Sequence, residues 1–243
     1  MSASTEEDTS RFSRQSGLVP KDVIDATAAS VIGVGAIGRN VAVQLAAIGL
    51  PSMHIFDPDR VDMTNITTQG FFNEDYGNSK VSCVQSFISN IDPKIKVTGI
   101  DDRYRQIYRL GQVVFCCVDS ITDRAFIWEA AKDQCKLFID GRMQGETIRI
   151  LVADSDNISS KIKYEDTLFV QEEAQEGNCT AKSTIYAANI AAGLMVHQFT
   201  RWLRKFPTEE DSLINLLSSE WITDVGAEVG HEEKETEVDL NTA

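Results

Sequence analysis

Basic residues are scarce in this sequence: 23 Lys and Arg stand against 37 Asp and Glu, for a formal charge of -14. A surface that grips nucleic acid or an anionic membrane needs clustered Lys and Arg, so neither is expected as a partner. Cysteine is also sparse. The five present (Cys83, Cys116, Cys117, Cys135 and Cys179) are odd in number, lack disulfide-framework spacing and form no CxxC pair, so no zinc is expected. The opening MSASTEEDTS is acidic and has no apolar core of a secretory signal. The longest apolar-rich stretch, 183–199, is interrupted by Asn189, His197 and Gln198 and is short for a membrane span. A reduced, soluble, cytoplasmic protein is the expectation. The three histidines (His54, His197, His231) are scattered, and none joins a Ser or Cys in a recognisable triad, which disfavours hydrolase chemistry. There is no internal repeat.

What is present suffices for one large domain: 243 residues, 42% of them hydrophobic. The charge is concentrated at the ends. Residues 1–10 hold three acids and no base, residues 228–243 hold six acids against Lys234, and together these ends carry -8 of the -14. Both read as disordered acidic segments, which leaves 11–227 as the folded domain. Within it, strand-like apolar runs (28–34, 53–56, 96–100, 113–118, 137–139) alternate with helical patterns (37–48, 79–91, 124–132). That alternation predicts an α/β fold, Rossmann-like, with a mainly parallel sheet and helices on both faces. The sheet is expected to continue with a few antiparallel strands, beginning with one over 147–153, and a loop with little regular structure over 154–179 and a buried helix over 183–203 follow. Residues 214–225 fit a strand pair or a helix.

Gly33-Val34-Gly35-Ala36-Ile37-Gly38 is a GxGxxG turn placed directly after a strand and opening a helix. Glycines there let the backbone turn tightly and approach a phosphate, and the helix start offers free N–H groups. Asp57 ends the next strand 24 residues after Gly33, where a carboxylate can accept ribose hydroxyls. The turn by itself does not separate a dinucleotide from ATP.

Its neighbours do. Arg11-Phe12-Ser13-Arg14-Gln15 precedes the first strand. Asp57-Pro58-Asp59-Arg60-Val61, Asn65, Gln69 and Gly77-Asn78-Ser79-Lys80 follow the turn, and Cys117-Val118-Asp119-Ser120 with Arg124 comes later. In this order, from about Arg11 to about Leu203, the set resembles the ThiF/MoeB family, the adenylating domain of the ubiquitin-activating-enzyme superfamily. The resemblance implies ATP and Mg²⁺. Gly33, Gly35 and Gly38 would line the ATP site, with Asp57 and Asp59 in the acidic segment and Asp57 on the ribose. Asn65, Gln69 and Lys80 would lie about the phosphates, and Asp119 would orient Mg²⁺ with them. Arg14 would reach the ATP of a second subunit, so a homodimer is expected. One departure stands out: Thr68 occupies the place where the family usually carries arginine in the segment Asn65-Ile66-Thr67-Thr68-Gln69, and Arg60, Arg103 or Arg105 could substitute.

The implied function is ATP-dependent adenylation of the C-terminal carboxylate of a ubiquitin-like or sulfur-carrier protein with a free tail. Transfer to a cysteine could follow. Cys179 is the candidate, beside Lys182 and just before a helix, which would lower its thiol pKa; a loop residue without chemistry is the alternative. Cys116 and Cys117 on a buried strand, with Cys83 and Cys135, read as structural. Other substrates stay open at this point, a peptide or a modified-tRNA carboxylate. So do an NAD-dependent oxidoreductase and a binding module without activity.

Overall fold

A computed structural model describes residues 11–168 and 184–223. The expectations for residues 1–10, for the acidic tail and for Cys179 lie outside the described residues. Eight strands form one sheet: β1 (Ala28–Ile32), β2 (Ser52–Phe56), β3 (Lys96–Ile100), β4 (Val113–Cys116), β5 (Leu137–Gln144), β6 (Thr147–Asp154), β7 (Asp211–Asn215) and β8 (Glu220–Thr223). Their order is β3-β2-β1-β4-β5-β6-β7-β8. The pairings from β3 across to β5 are parallel, and those from β5 to β8 are antiparallel. The α/β, mainly parallel expectation with antiparallel strands at the end is met.

Strands β1 and β4 are buried on both faces, and period-two alternation sends their side chains into two cores. Val31, Val113 and Phe115 point to one core, packed by α2 (Ala36–Ala47), α4 (Lys80–Ile91) and α7 (Ile185–Leu203). Ile32, Val114 and Cys116 point to the other, under α5 (Ile121–Ala131) and α6 (Ile158–Asp166). Two short helices complete the set, α1 (Lys21–Asp25) and α3 (Met63–Gln69). The chain leaves β1 toward β2 on one side and later returns to β4 on the other. The crevice at the carboxyl ends of β1 and β4 is therefore the switch point where an open α/β sheet places its ligand.

Three elements differ from the sequence expectations. Residues 158–166 are helix α6 where a loop was expected: Asn157 caps it by accepting from the Ser160 N–H at 3.2 Å. Its apolar pattern is weak because Ile158 and Ile162 are exposed and Tyr164 is its large buried side chain. Helix α3 falls where no element was expected, and is nucleated by a capping box between Asp62 and Asn65 and stopped by Gly70 at φ +76°. Helix α7 is sided rather than buried all round. Ala187, Ala188, Ala191, Ala192, Met195 and Phe199 are buried while Tyr186 and Ile190 face solvent. The open choice over 214–225 resolves as the β7–β8 strand pair over its described part. No described helix is long and apolar enough to cross a membrane.

Candidate nucleotide site

Each glycine of the turn has a different reason to be there. Gly33 sits at φ +85°, and a side chain on it would come within 2.9 Å of the Cys117 carbonyl oxygen. Gly38 packs the first turn of α2 onto the Gly33 carbonyl so closely that a Cβ would overlap that oxygen. Gly35 differs: a Cβ there would meet only the Gln69 amide, at 3.6 Å. Gly33 and Gly38 thus shape the turn, and Gly35 keeps its outer face open to a ligand.

Asp57 links this turn to the end of β2. Its Oδ2 accepts from the Val34 N–H at 2.8 Å and its Oδ1 from the Asp59 N–H at 2.9 Å. Burial pushes its carboxyl above the ordinary Asp value, opposed by the nearby Lys80 ammonium and by the two backbone donors. Each oxygen still has lone-pair capacity for another donor.

Lys80 opens α4 and is 5% exposed. Its Nζ donates to Asp59 Oδ2 at 2.9 Å, and its backbone N–H to the Asp59 carbonyl at 3.0 Å. Arg60 and Ser79 form a β-bridge beside them. The Asp57–Val61 and Gly77–Lys80 motifs are therefore zipped together, which is why two segments 21 residues apart act as one wall.

Asn65 and Gln69 are one helical turn apart on α3, on the face turned to the glycine loop. Asn65 is buried and its Oδ1 accepts from the Asp62 N–H at 3.2 Å, leaving its Nδ2 donors for a ligand. Gln69 Oε1 and Ser79 Oγ are buried without a hydrogen-bond partner among the described residues. Gln69 lies against the Gly35 position, and an unsatisfied polar atom beside a glycine turn is the kind of group a polar ligand satisfies. The residues present fit a nucleotide.

Asp119 lies exposed on the loop after β4, across the crevice. Among the described residues no group of three or more His, Cys, Asp or Glu could hold a metal. Asp119 would thus hold Mg²⁺ only together with phosphate oxygens, a coordination this hard cation favours. Arg14 is not brought to this crevice. Phe12 packs at Gly49 and Gln15 Nε2 donates to the Ile48 carbonyl at 2.8 Å, beyond the far end of α2. The 12 residues of α2 separate that end from the glycine turn by about 18 Å.

Arg60, Arg103 and Arg105 do not replace the arginine missing at Thr68 from any buried position. Arg60 donates to the Gly77 carbonyl at 3.0 Å, Arg103 pairs with Asp123 at 3.6 Å and Arg105 with Asp102 at 3.0 Å, all exposed. Thr68 bonds back to the Thr64 carbonyl at 2.8 Å. Two buried arginines escaped the sequence reading of roles. Arg39, in the first turn of α2, lies between the rings of Phe71 and Phe87. Arg124 is bonded to Asp140 and to backbone carbonyls. A basic residue directly after the last motif glycine was the available signal for the first. Nothing local marks Asp140, the carboxylate partner of the second, or Arg142, which shares that carboxylate.

Cys83, Cys116, Cys117 and Cys135 are free thiols. Burial pushes Cys83 up to about 11, with the neighbouring Asp75 adding to it, and pushes Cys135 up to about 12. Burial raises Cys116 and Cys117 as well. Thiolate is the reactive form, so at pH 8 all four should react slowly with a disulfide reagent. Any fast equivalent should vanish in Cys179→Ala; a fast phase surviving that change would assign reactivity to one of the four.

A Rossmann-like α/β domain with a glycine turn at the sheet's switch point is the class that the fold and crevice define. A model of the ThiF family matches residues 12–227, and the chain belongs to that family. Ubiquitin-like modifier-activating enzyme 5 of Xenopus laevis is 25% identical over 209 residues, covering 74% of this chain and 51% of that protein. The NEDD8-activating enzyme E1 catalytic subunit of Caenorhabditis elegans is 30% identical over 123 residues, covering 49% of this chain and 29% of that protein. The chain thus spans about half or less of the length of these curated relatives. Among solved structures, PaaA superposes with a TM-score of 0.70 at 16% identity, over 92% of this chain and 84% of that one. E. coli MccB with ATP superposes at 0.67 and 18% identity, over 88% and 70%. At that identity the likeness is one of fold.

Proposed function

We propose that this chain activates the C-terminal carboxylate of a ubiquitin-like or sulfur-carrier protein by ATP-dependent adenylation. The observation that carries the reading is the buried Lys80 ammonium, held on Asp59 and close to Asp57, whose carboxylate is bonded to the Val34 N–H of the glycine turn. In the reaction a carboxylate oxygen of the partner bonds to the α-phosphorus as pyrophosphate leaves. Two anions meet, so fixed positive groups must gather around the reacting phosphate. Lys80 and the N–H groups at the start of α2 supply them, and Asn65 adds side-chain donors. Mg²⁺ would supply charge neutralisation of the phosphates, with Asp119 as its protein ligand. Transfer to Cys179 would replace the adenylate by a thioester and release AMP.

The position of Arg14 supports a homodimer. It stands about one helix length from its own crevice, so it could serve a nucleotide only in another copy. Relatives named as activating enzymes for ubiquitin-like modifiers favour a protein partner over tRNA, as does the acidic charge. The test is ATP–pyrophosphate exchange with purified ubiquitin-like and sulfur-carrier proteins that end in a free tail. Exchange should appear only when the tail is present. Exchange with free ATP and tRNA instead would transfer the reading to an RNA carboxylate.

A further inference from the structure

Asp140, the last residue of β5 in parallel register with β4, is 0% exposed and lies beside Cys116, immediately beneath the loop that presents Asp119. It is bonded on both oxygens. Its Oδ1 takes Arg124 Nη1, and its Oδ2 takes Arg142 Nε at 2.8 Å and the Tyr164 hydroxyl at 3.2 Å. Arg124 uses its other nitrogen on two backbone carbonyls, those of Val118 and, at 3.2 Å, Gly141. Arg142 continues to the carbonyl and hydroxyl of Thr167, at 3.0 and 2.9 Å.

Two guanidiniums share one carboxylate in the interior, an arrangement expensive to assemble and weak as a source of stability. The end of α6, whose last-turn dipole faces Arg142 through Thr167, offsets part of the excess charge. What the cluster does achieve is positional. The Val118 carbonyl belongs to the residue before Asp119, and the preceding Cys117–Val118 peptide touches the position of Gly33, so one guanidinium fixes the loop against the glycine turn.

We propose that Arg124 and Asp140 are positioning residues for Asp119: they hold the Cys117–Asp119 loop at the distance from the glycine turn at which Asp119 shares a cation with bound phosphates. Arg142 and Tyr164 hold Asp140 in turn. This rests on the nucleotide reading above, and the test separates the two. ATP affinity of the full chain is measured by calorimetry with Mg²⁺ and with EDTA, for wild type, Asp119→Ala, Arg124→Lys and the double variant. Lysine keeps the charge but loses the fork that reaches Asp140 and the carbonyls together.

Wild type should bind more tightly with Mg²⁺. Asp119→Ala and Arg124→Lys should each remove about tenfold of that Mg²⁺-dependent gain and show no further loss of it when combined, and Arg124→Lys should leave affinity in EDTA within about twofold. A purely structural arginine predicts equal weakening with and without Mg²⁺, or additive losses, and either result overturns the proposal. Wild-type chain that binds no ATP would remove the nucleotide reading and this one with it, whereas wild-type binding with additive losses removes only this one. Should Arg124→Lys fold poorly, Tyr164→Phe, which deletes one bond to Asp140, should give a smaller loss in the same Mg²⁺-dependent part; an unchanged Mg²⁺ gain there, too, counts against the positioning role.

Discussion

Lys80→Met is expected to leave the chain folded and to lower ATP–pyrophosphate exchange by about 10²- to 10³-fold, the range typical for loss of one fixed donor to developing charge. Methionine matches the length and apolar stem of the lysine, which is 5% exposed, so packing at the start of α4 survives. The charge is what is lost. Asp59, with 64% of its side chain exposed, simply returns to water. Asp57 cannot. It is buried, its carboxyl is already raised by that burial, and the Lys80 ammonium is the main force opposing the shift.

The sign of the accompanying stability change follows. A carboxyl raised in the fold above its unfolded value adds stability at low pH and loses it as pH climbs through the folded pKa. Removing Lys80 raises Asp57 further, so the stability gap between wild type and variant should widen as pH rises through and above the ordinary Asp range. Denaturant midpoints at pH 4 and pH 7 measure it. A gap constant across that window would mean that Lys80 and Asp57 are not coupled. Full exchange activity in the variant would mean that Lys80 does not touch the reacting phosphates.

Among the described glycines, Gly38→Ala should be the most damaging added methyl, with a loss of about 3 kcal/mol or more in unfolding free energy and no measurable ATP binding. The added Cβ overlaps the carbonyl oxygen of Gly33 and comes within 3.1 Å of Cys117 Cβ. Neither obstacle can swing aside: one is backbone in the turn itself, the other a side chain on the β4 edge of the crevice. Gly35→Ala is the contrasting experiment. Its Cβ meets the end of a flexible side chain at ordinary contact distance, so stability should stay within about 0.5 kcal/mol while ATP affinity falls. The pair separates a glycine required by the fold from a glycine required by the ligand. Equal ATP affinity in Gly35→Ala and wild type would place the nucleotide elsewhere.

Legibility in the sequence followed the range of the signal. The β1–turn–α2 unit was readable because everything it needs lies within 20 residues: an apolar run, three glycines and a helical repeat. Helix α6 was missed because a surface helix anchored chiefly by Tyr164 carries almost no apolar stripe, although Asn157 three residues before Ser160 was a capping signal that could have been used. Helix α3 was missed because it is short and its residues were weighed as ligands. Its box, Asp62 with Asn65, serves the helix start, and the same Asn65 remains turned to the crevice.

The sequence by itself determined the α/β class, the alternation of strands with helices and the glycine turn, since each depends on local periodicity and on backbone conformations that few residues tolerate. Tertiary structure alone decided which charges meet. Lys80 finds Asp59, Arg124 and Arg142 converge on Asp140, and Arg14 is carried to the opposite end of α2 from the turn. Those pairings follow from sheet register and helix packing, which bring together residues from separate segments, and the alternation of polar and apolar residues along the chain holds no record of them.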